Sequence, residues 1–243
     1  MSGSLAFPDG GYRFVRGASP YSAGVVADPG FAIERVRFAA PVPLAEGFRR
    51  IEARLLGAGR PKAALCACEL RSPRPFTMDG FVGFNKGYVD VLKSWGLFKV
   101  DGLNPVARSN VCPELDPPAE PSFFAFCYTV PGPGRSFVVA GSGEVPEEKG
   151  AYPGRIVRRG DVSPDGLREK ARWVMGEMER RMSLLGVGWR DATAAQVYTP
   201  HPMPVEELKP AFGPGLTWHF ARPPIVELDF EMDCRATPRE IVL

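Results

Sequence analysis

The sequence predicts an α+β protein of two tandem units, each a mixed β-sheet with helices packed on one face. Predicted strands and amphipathic helices follow the same order twice along the 243 residues, and a Pro-Gly-Pro-Gly run separates the two series. Two long helices per half are too few for a doubly wound parallel sheet, but they suit one face of a mixed sheet. We therefore predict an N-terminal unit at residues 1–130 and a C-terminal unit at residues 131–243, each long enough to bury a core.

The first unit begins with predicted strands, and in the second of them Val36 and Phe38 alternate with Arg35 and Arg37. Apolar residues at helical spacing predict two helices, and short apolar runs predict three more strands. The strands are predicted at residues 11–17, 34–40, 63–70, 107–112 and 121–130, and the helices at residues 44–56 and 78–97.

The second unit carries the clearest helix signal, at residues 163–185. Ser163 suits the N-cap, Pro164 the first turn and Gly186 the C-terminal end. Strands are predicted before and after this helix, at residues 137–140, 191–198 and 225–236.

Four acidic residues alternate along the last predicted strand, namely Glu227, Asp229, Glu231 and Asp233. A period of two would place all four on one face. Glu227 and Asp233 are expected on a solvated face. Asp229 or Glu231, if it faced a cleft, would suit a general acid or base whose pKa is raised by partial burial.

Composition excludes several partners and compartments. The net charge of +2, from 30 basic and 28 acidic residues, gives no reason to expect nucleic acid or an anionic membrane. No apolar run approaches the about 20 residues that cross a bilayer. Residues 1–11 lack the features of a signal peptide. The five cysteines lack zinc-ligand spacing, and Cys66 and Cys68 form only C-x-C, so we expect reduced thiols, no metal and a cytoplasmic location.

Four segments resemble the Rid/YjgF (reactive intermediate deaminase) family. Residues 137–146, FVVAGSGEVP, are similar to the family's strand ending in Ser-Gly-Gln-hydrophobic-Pro, and residues 189–198, WRDATAAQVY, to its next strand. Residues 81–88, FVGFNKGY, resemble the family's Phe-x-x-hydrophobic-Asn-x-x-Tyr helix. Residues 105–111, PVARSNV, resemble its Pro-x-Ala-Arg-Ser-x-Val motif, with one extra residue after the proline.

The resemblance implies units arranged around a three-fold axis with ligand clefts between neighbours, and hence a homo-oligomer, with a homotrimer as one form. It also implies hydrolysis of an enamine, an imine or a related small unsaturated carboxylate without metal or organic cofactor. One branch is similar to 2-aminomuconate deaminases, which suggests an intermediate of aromatic degradation. A chorismatase-like enzyme and a non-catalytic ligand-binding or assembly protein are the alternatives.

Arg108 is the arginine of the fourth segment, the Pro-x-Ala-Arg-Ser-x-Val motif, where the resemblance implies that it holds a substrate carboxylate. A guanidinium stays charged and offers a planar fork that matches a carboxylate. The other residues predicted to bind substrate are Asn110, Ser142, Asn85, His219 and Glu120.

The two units depart from the family pattern in complementary ways. In the first unit, Ser122-Phe-Phe-Ala-Phe126 stands where the family tends to have an acidic residue, although Glu120 lies just before it. In the second unit, Leu216 occupies the arginine's position. We therefore hypothesise a composite site in which Arg108 of one unit acts with Glu231 or Asp229 of the other.

Overall fold

The computed structural model describes residues 3–18, 20–146 and 152–243. Within these ranges the chain forms two β-sheets, with three long α-helices and one short one packed against them. The α+β prediction is confirmed. No helix among the described residues is long and apolar enough to cross a membrane.

The strands are β1 (Ser4–Phe7), β2 (Tyr12–Val15), β3 (Gly24–Ala27), β4 (Phe31–Pro43), β5 (Leu65–Arg71), β6 (Ala107–Pro113), β7 (Ser122–Pro131), β8 (Phe137–Gly143), β9 (Ala194–Tyr198), β10 (Leu216–His219), β11 (Ala221–Arg222), β12 (Glu231–Ala236) and β13 (Arg239–Val242). The helices are α1 (Leu44–Gly57), α2 (Met78–Ser94), α3 (Pro164–Leu185) and α4 (Lys209–Phe212). The three predicted helices correspond to α1, α2 and α3. As predicted for α3, the Ser163 hydroxyl accepts a hydrogen bond from the Gly166 N–H, and Gly186 is left-handed at the C-terminal end.

Each sheet takes strands from both halves of the sequence. The seven-stranded sheet has the order β1-β2-β3-β8-β12-β9-β10, and the six-stranded sheet the order β11-β6-β5-β7-β4-β13. Strands β1–β3 precede residue 130 yet join the sheet of the second half, whereas β11 and β13 join the sheet of the first half. The boundary between residues 130 and 131 stays a prediction, and exchanged strands tie the two halves together.

Each sheet buries one face under helices. Helices α1 and α2 cover the six-stranded sheet, where Phe48, Tyr88 and Phe123 belong to one apolar core. Helix α3 covers the seven-stranded sheet through methionines and aliphatic side chains, including Met178 and Met182. Because apolar residues recur about every 3.6 residues, each helix packs one face against its sheet. The opposite face of each sheet is left to contact the other sheet.

The two uncovered faces approach each other through buried polar side chains. The Ser109 hydroxyl of β6 donates to Asp233 Oδ2 of β12 at 2.5 Å. Arg35, only 2% exposed, donates to both carboxylate oxygens of Glu69 at 2.6 and 2.7 Å. Although burial alone would raise it, the pKa of Glu69 is held below its usual value by this guanidinium.

The predicted strand at residues 225–236 is wrong in its first half, because β12 begins at Glu231. Glu227 is exposed, has a φ of 72° and pairs with Arg159 at 2.5 Å. The Glu144 carboxylate accepts hydrogen bonds from the N–H groups of Asp229 and Phe230 at 2.7 and 3.1 Å. Those N–H groups are therefore unavailable for a β-ladder. The period-two arrangement holds only for Glu231 and Asp233.

Candidate active site

A cavity of about 60 Å³ lies where β6, β8 and β12 meet the N-terminal half of α2 and the loop before β12. Its volume corresponds to roughly two water molecules, which suits a carboxylate and the carbon beside it. Its polar lining comes from Arg108, Asn110, Ser142 and Glu231. The remaining lining is apolar, aromatic or glycine and comprises Tyr21, Phe81, Gly141, Gly143, Val145, Pro224, Ile225 and Leu228.

Arg108 is 3% exposed and lies inside a cage of aromatic rings. Its guanidinium carbon is between 4.8 and 5.6 Å from the ring centroids of Tyr88, Tyr21, Phe84 and Phe81. Cation–π attraction stabilises the charge in part. Burial nevertheless lowers the pKa of Arg108 from its ordinary value.

The guanidinium of Arg108 lacks hydrogen-bond acceptors among the described residues at its two terminal nitrogens. Both of these atoms, Nη1 and Nη2, are buried. A buried charge without hydrogen bonds is costly, because its lost hydration is not replaced. The observed cage therefore fits an anionic ligand that supplies two acceptor oxygens.

Glu231 approaches the same cavity from β12 and lies directly against β8. A methyl group built on Gly141 would overlap Glu231 Oε1, and it would lie 3.2 Å from the Ser109 Cα. Burial, and then the negative charge of Asp233, raise the pKa of Glu231 well above its usual value; the charges of Arg181 and Arg108 oppose this. The site can therefore hold a protonated carboxyl beside a cation.

Asn110 and Ser142 also line the cavity, as the sequence predicts for substrate-binding groups. The Asn110 side-chain oxygen accepts a hydrogen bond from Ser72 at 2.9 Å, whereas its buried Nδ2 has no acceptor in the described part of the chain. The Ser142 hydroxyl donates to the Gly143 carbonyl at 3.3 Å. The structure thus brings Arg108, Asn110, Ser142 and Glu231 together.

Two of the other predicted residues lie outside the cavity because buried partners hold them. Asp229 contacts Lys170 Nζ and lies 3.1 Å from His201 Nε2. His219 stacks on the Tyr198 ring, with centroids 4.9 Å apart, and its Nε2 lies 3.1 Å from the Gln196 side-chain oxygen. Burial lowers the pKa of His219 to about 4, so this imidazole is neutral at physiological pH.

Two more predicted residues also lie elsewhere. Glu120 is exposed in the turn before β7. Asn85 is buried on α2, where it borders a separate depression with Val82 and Val89. Neither residue is among those that line the cavity. The Asn85 side-chain oxygen is buried without a hydrogen-bond partner among the described residues, so its part in substrate binding stays a prediction.

Two sets of buried residues were not foreseen as part of the site. Asp233 accepts hydrogen bonds from Ser109, from Gln196 at 2.8 Å and from Tyr198 at 2.9 Å, and burial raises its pKa. Its position two residues after Glu231 is the signal in the sequence, but acidic residues that alternate along a strand are also typical of a solvated face, which is where the sequence predicts Asp233.

The second unforeseen set is a buried ion-pair cluster of Lys170, Glu144 and Asp229. Lys170 is fully buried, contacts Asp229 and lies 3.4 Å from Glu144. Burial raises the pKa of Glu144 to about 7. Because Glu144 binds the backbone of residues 229 and 230, the cluster fixes the loop that carries Leu228 and leads into Glu231.

Possible metal and thiol chemistry is limited in the described residues. They contain no group of three or more His, Cys, Asp or Glu side chains able to hold a metal ion. All five cysteines are free and buried, and burial raises the pKa of Cys112 to about 12. A thiolate nucleophile is therefore disfavoured at neutral pH.

Comparison with known proteins identifies relatives along the whole chain. A family model described as 2-aminomuconate deaminase CnbZ matches residues 4–241. A 2-amino-5-chloromuconate deaminase from Comamonas testosteroni is 47% identical over 257 residues, covering 100% of both chains.

Similarity to solved structures is much weaker. The YjgF gene product from E. coli is 13% identical, covers 43% of this chain and 81% of its own, and gives a TM-score of 0.27. A cyanuric acid hydrolase from A. caulinodans is also 13% identical, covers 86% of this chain and 68% of its own, and gives a TM-score of 0.37.

Proposed function

The chain belongs to the 2-aminomuconate deaminase family, and from this premise we propose that it hydrolyses an enamine of the 2-aminomuconate type in the cavity between Arg108 and Glu231. The observation that carries the proposal is the pairing of a buried, unsatisfied guanidinium with a buried carboxyl in one small cavity. The overall reaction consumes one water and releases one ammonia and a 2-keto acid.

Substrate binding rests on Arg108. The substrate carboxylate next to the amino-bearing carbon accepts hydrogen bonds from Nη1 and Nη2 of Arg108. It thereby supplies the two missing acceptors and balances the charge of the guanidinium. The aromatic cage excludes water, so this ion pair is stronger than it would be at a surface. Fixing the carboxylate also places the adjacent carbon toward the part of the cavity that Glu231 lines.

Glu231 supplies the proton chemistry. Its neutral carboxyl gives a proton to the enamine carbon next to the amino-bearing carbon, which leaves an iminium ion and a carboxylate. The carboxylate then takes a proton from water as the water oxygen bonds to the iminium carbon. Movement of the hydroxyl proton to nitrogen, through the same carboxyl group, breaks the C–N bond and forms the C=O bond. Glu231 returns to its starting state, and the balanced sequence needs no metal or organic cofactor.

The test is ammonia release from 2-aminomuconate. The wild type should release one ammonia per substrate consumed, whereas Arg108→Ala and Glu231→Gln should each lose at least about 100-fold in kcat/KM. A matched control is Arg60→Ala, which removes an arginine that also lies over an aromatic ring but binds the Thr129 backbone and does not line the cavity. Binding of substrate without ammonia release would instead identify a ligand-binding protein. Full activity in both cavity variants would reject the proposed site.

Cytoplasmic location and homo-oligomeric assembly, with a trimer as the expected form, are also proposed. Five buried free thiols support a reducing compartment. Trp218 and Phe220, at and just after edge strand β10, are each 48% exposed and support a contact between copies. Light scattering coupled to size-exclusion chromatography would give the mass, and a monomer would reject the assembly.

A further inference from the structure

Ser72 stands immediately after β5 and is fixed to β6 from two directions. Its N–H donates to the Val111 carbonyl at 2.9 Å, and its hydroxyl donates to Asn110 Oδ1 at 2.9 Å. The residue is fully buried. Its hydroxyl therefore has a fixed direction and a single described acceptor.

This hydrogen bond sets the orientation of the Asn110 carboxamide. A carboxamide has one acceptor atom and one donor atom, and rotation by 180° exchanges them. Because the Ser72 hydroxyl occupies Oδ1, the NH2 group is the end left without a partner in the described residues. Asn110 lines the cavity and follows Arg108 by two residues on β6, so both side chains extend from the same face of the strand.

The geometry points to Ser72 as a positioning residue that holds the Asn110 NH2 group toward the reacting carbon, where it donates to the oxygen that forms there. This inference rests on the proposed function and specifies its chemistry. In the starting enamine, the amino nitrogen is a poor acceptor, because its lone pair is delocalised into the double bond. After water adds, the new hydroxyl oxygen and then the keto oxygen are good acceptors next to the bound carboxylate.

The donor should therefore act after substrate binding. An interaction that strengthens between ground state and transition state raises kcat, whereas one that is equal in both lowers KM. Arg108 mainly lowers KM, since the substrate carboxylate that it binds is present throughout the reaction. Asn110, oriented by Ser72, raises kcat, as do fixed donors aimed at a developing oxygen in other hydrolases.

The test is a double-mutant cycle read by kcat and KM for ammonia release. Asn110→Ala should lower kcat about 100-fold and Ser72→Ala about 10-fold, each with KM changed less than about 3-fold. Adding Ser72→Ala to Asn110→Ala should have no further effect on kcat, because Ser72 acts only through the amide. Ser136→Ala is the matched control: Ser136 is equally buried, and its hydroxyl oxygen accepts a hydrogen bond from the Ile33 N–H at 2.7 Å.

Several outcomes would overturn the inference. An unchanged kcat in Ser72→Ala would overturn it. So would a loss of kcat on adding Ser72→Ala to Asn110→Ala that is as large as the loss that Ser72→Ala causes in the wild type. If Ser72→Ala does not fold, Asn110→Asp serves instead, since it has the same shape and still accepts from Ser72. A kcat equal to that of wild type in this variant would overturn the donor role. Absence of ammonia release by the wild type would reject the proposed function together with this inference, whereas the outcomes above reject the inference alone.

Discussion

The Glu231 carboxyl packs on the backbone of Gly141 so closely that a methyl group on Gly141 would overlap Oε1. Glycine is required there for close approach, because the side chain of β12 occupies the space above β8. Gly141→Ala should therefore displace Glu231, lower kcat at least about 10-fold and reduce the free energy of unfolding by about 1–3 kcal/mol. Ammonia release and urea unfolding measure both effects.

The control for this substitution is Gly176→Ala. Gly176 is exposed in the middle of α3, and a methyl group there would contact nothing within 4 Å. Activity should stay at the wild-type level, and stability should rise by about 0.5–1 kcal/mol, because alanine favours helix. Wild-type turnover in Gly141→Ala would show that the position of Glu231 does not matter.

Glu231→Gln, which should lower kcat/KM at least about 100-fold, should at the same time stabilise the protein at alkaline pH. Burial raises the pKa of Glu231 in the native state, so the folded protein retains a proton that the unfolded chain loses above about pH 4.3. The contribution of Glu231 to the free energy of unfolding of the wild type therefore falls as the pH rises. Glutamine does not titrate, so its contribution does not change with pH. The difference in unfolding free energy between variant and wild type should be larger at pH 8 than at pH 5. A difference independent of pH would contradict the raised pKa.

The buried cluster of Lys170, Glu144 and Asp229 predicts a large loss of stability when the cation alone is removed. Lys170→Met leaves two buried carboxylates without their partner, which should cost about 3–5 kcal/mol in urea unfolding. Lys209→Met removes an exposed lysine that pairs with Glu206 on the surface and should change little. Equal effects in the two variants would mean that the cluster does not stabilise the loop before β12.

His219 should make the wild type less stable in acid, without affecting the activity profile near neutral pH. Burial, and then the charge of Arg71, lower its pKa from 6.5 to about 4. Between these two values the unfolded chain binds a proton that the native state does not, so stability falls as the pH drops through this window. The unfolding free energy of the wild type should therefore decline more steeply from pH 7 to pH 4.5 than that of His219→Gln. Parallel curves would argue that the imidazole is accessible to protons.

The fold could be predicted where one face of an element is apolar and its ends are marked. Apolar spacing and end residues located α1 and α3 to within one or two residues of their bounds, and α2 at its N-terminal end. Strands β1, β3, β10, β11 and β13 are not predicted, because they are only two to four residues long. What makes them strands is pairing with distant segments, and a short local pattern does not encode that.

The sequence predicts that the site combines residues of both halves, but not which carboxylate of the second half takes part. The family motif around Arg108 and the missing arginine at Leu216 pointed to a composite site, and the aminomuconate deaminase relatives support that branch of the resemblance. The choice between Asp229 and Glu231 depended on where β12 begins. Glu144 and Lys170 hold Asp229, just before that start, from 85 and 59 residues away, respectively. Such long-range contacts are invisible in the alternation of the strand itself.

The aromatic cage of Arg108 illustrates the same limit. Phe81, Phe84 and Tyr88 lie on one side of α2 at helical spacing, a pattern typical of ordinary core packing. Only the register of β6, which places Arg108 beside Cys68 of β5, shows that a guanidinium lies among these rings.

Binding of muconate, a dicarboxylate that lacks the amino group, separates the two roles at the centre of the account. Isothermal titration should give Glu231→Gln an affinity within about 3-fold of wild type, whereas Arg108→Ala should bind at least about 100-fold more weakly, because the carboxylate loses its two charged donors. Retained muconate affinity in Arg108→Ala would contradict the assignment of this cavity as the carboxylate site.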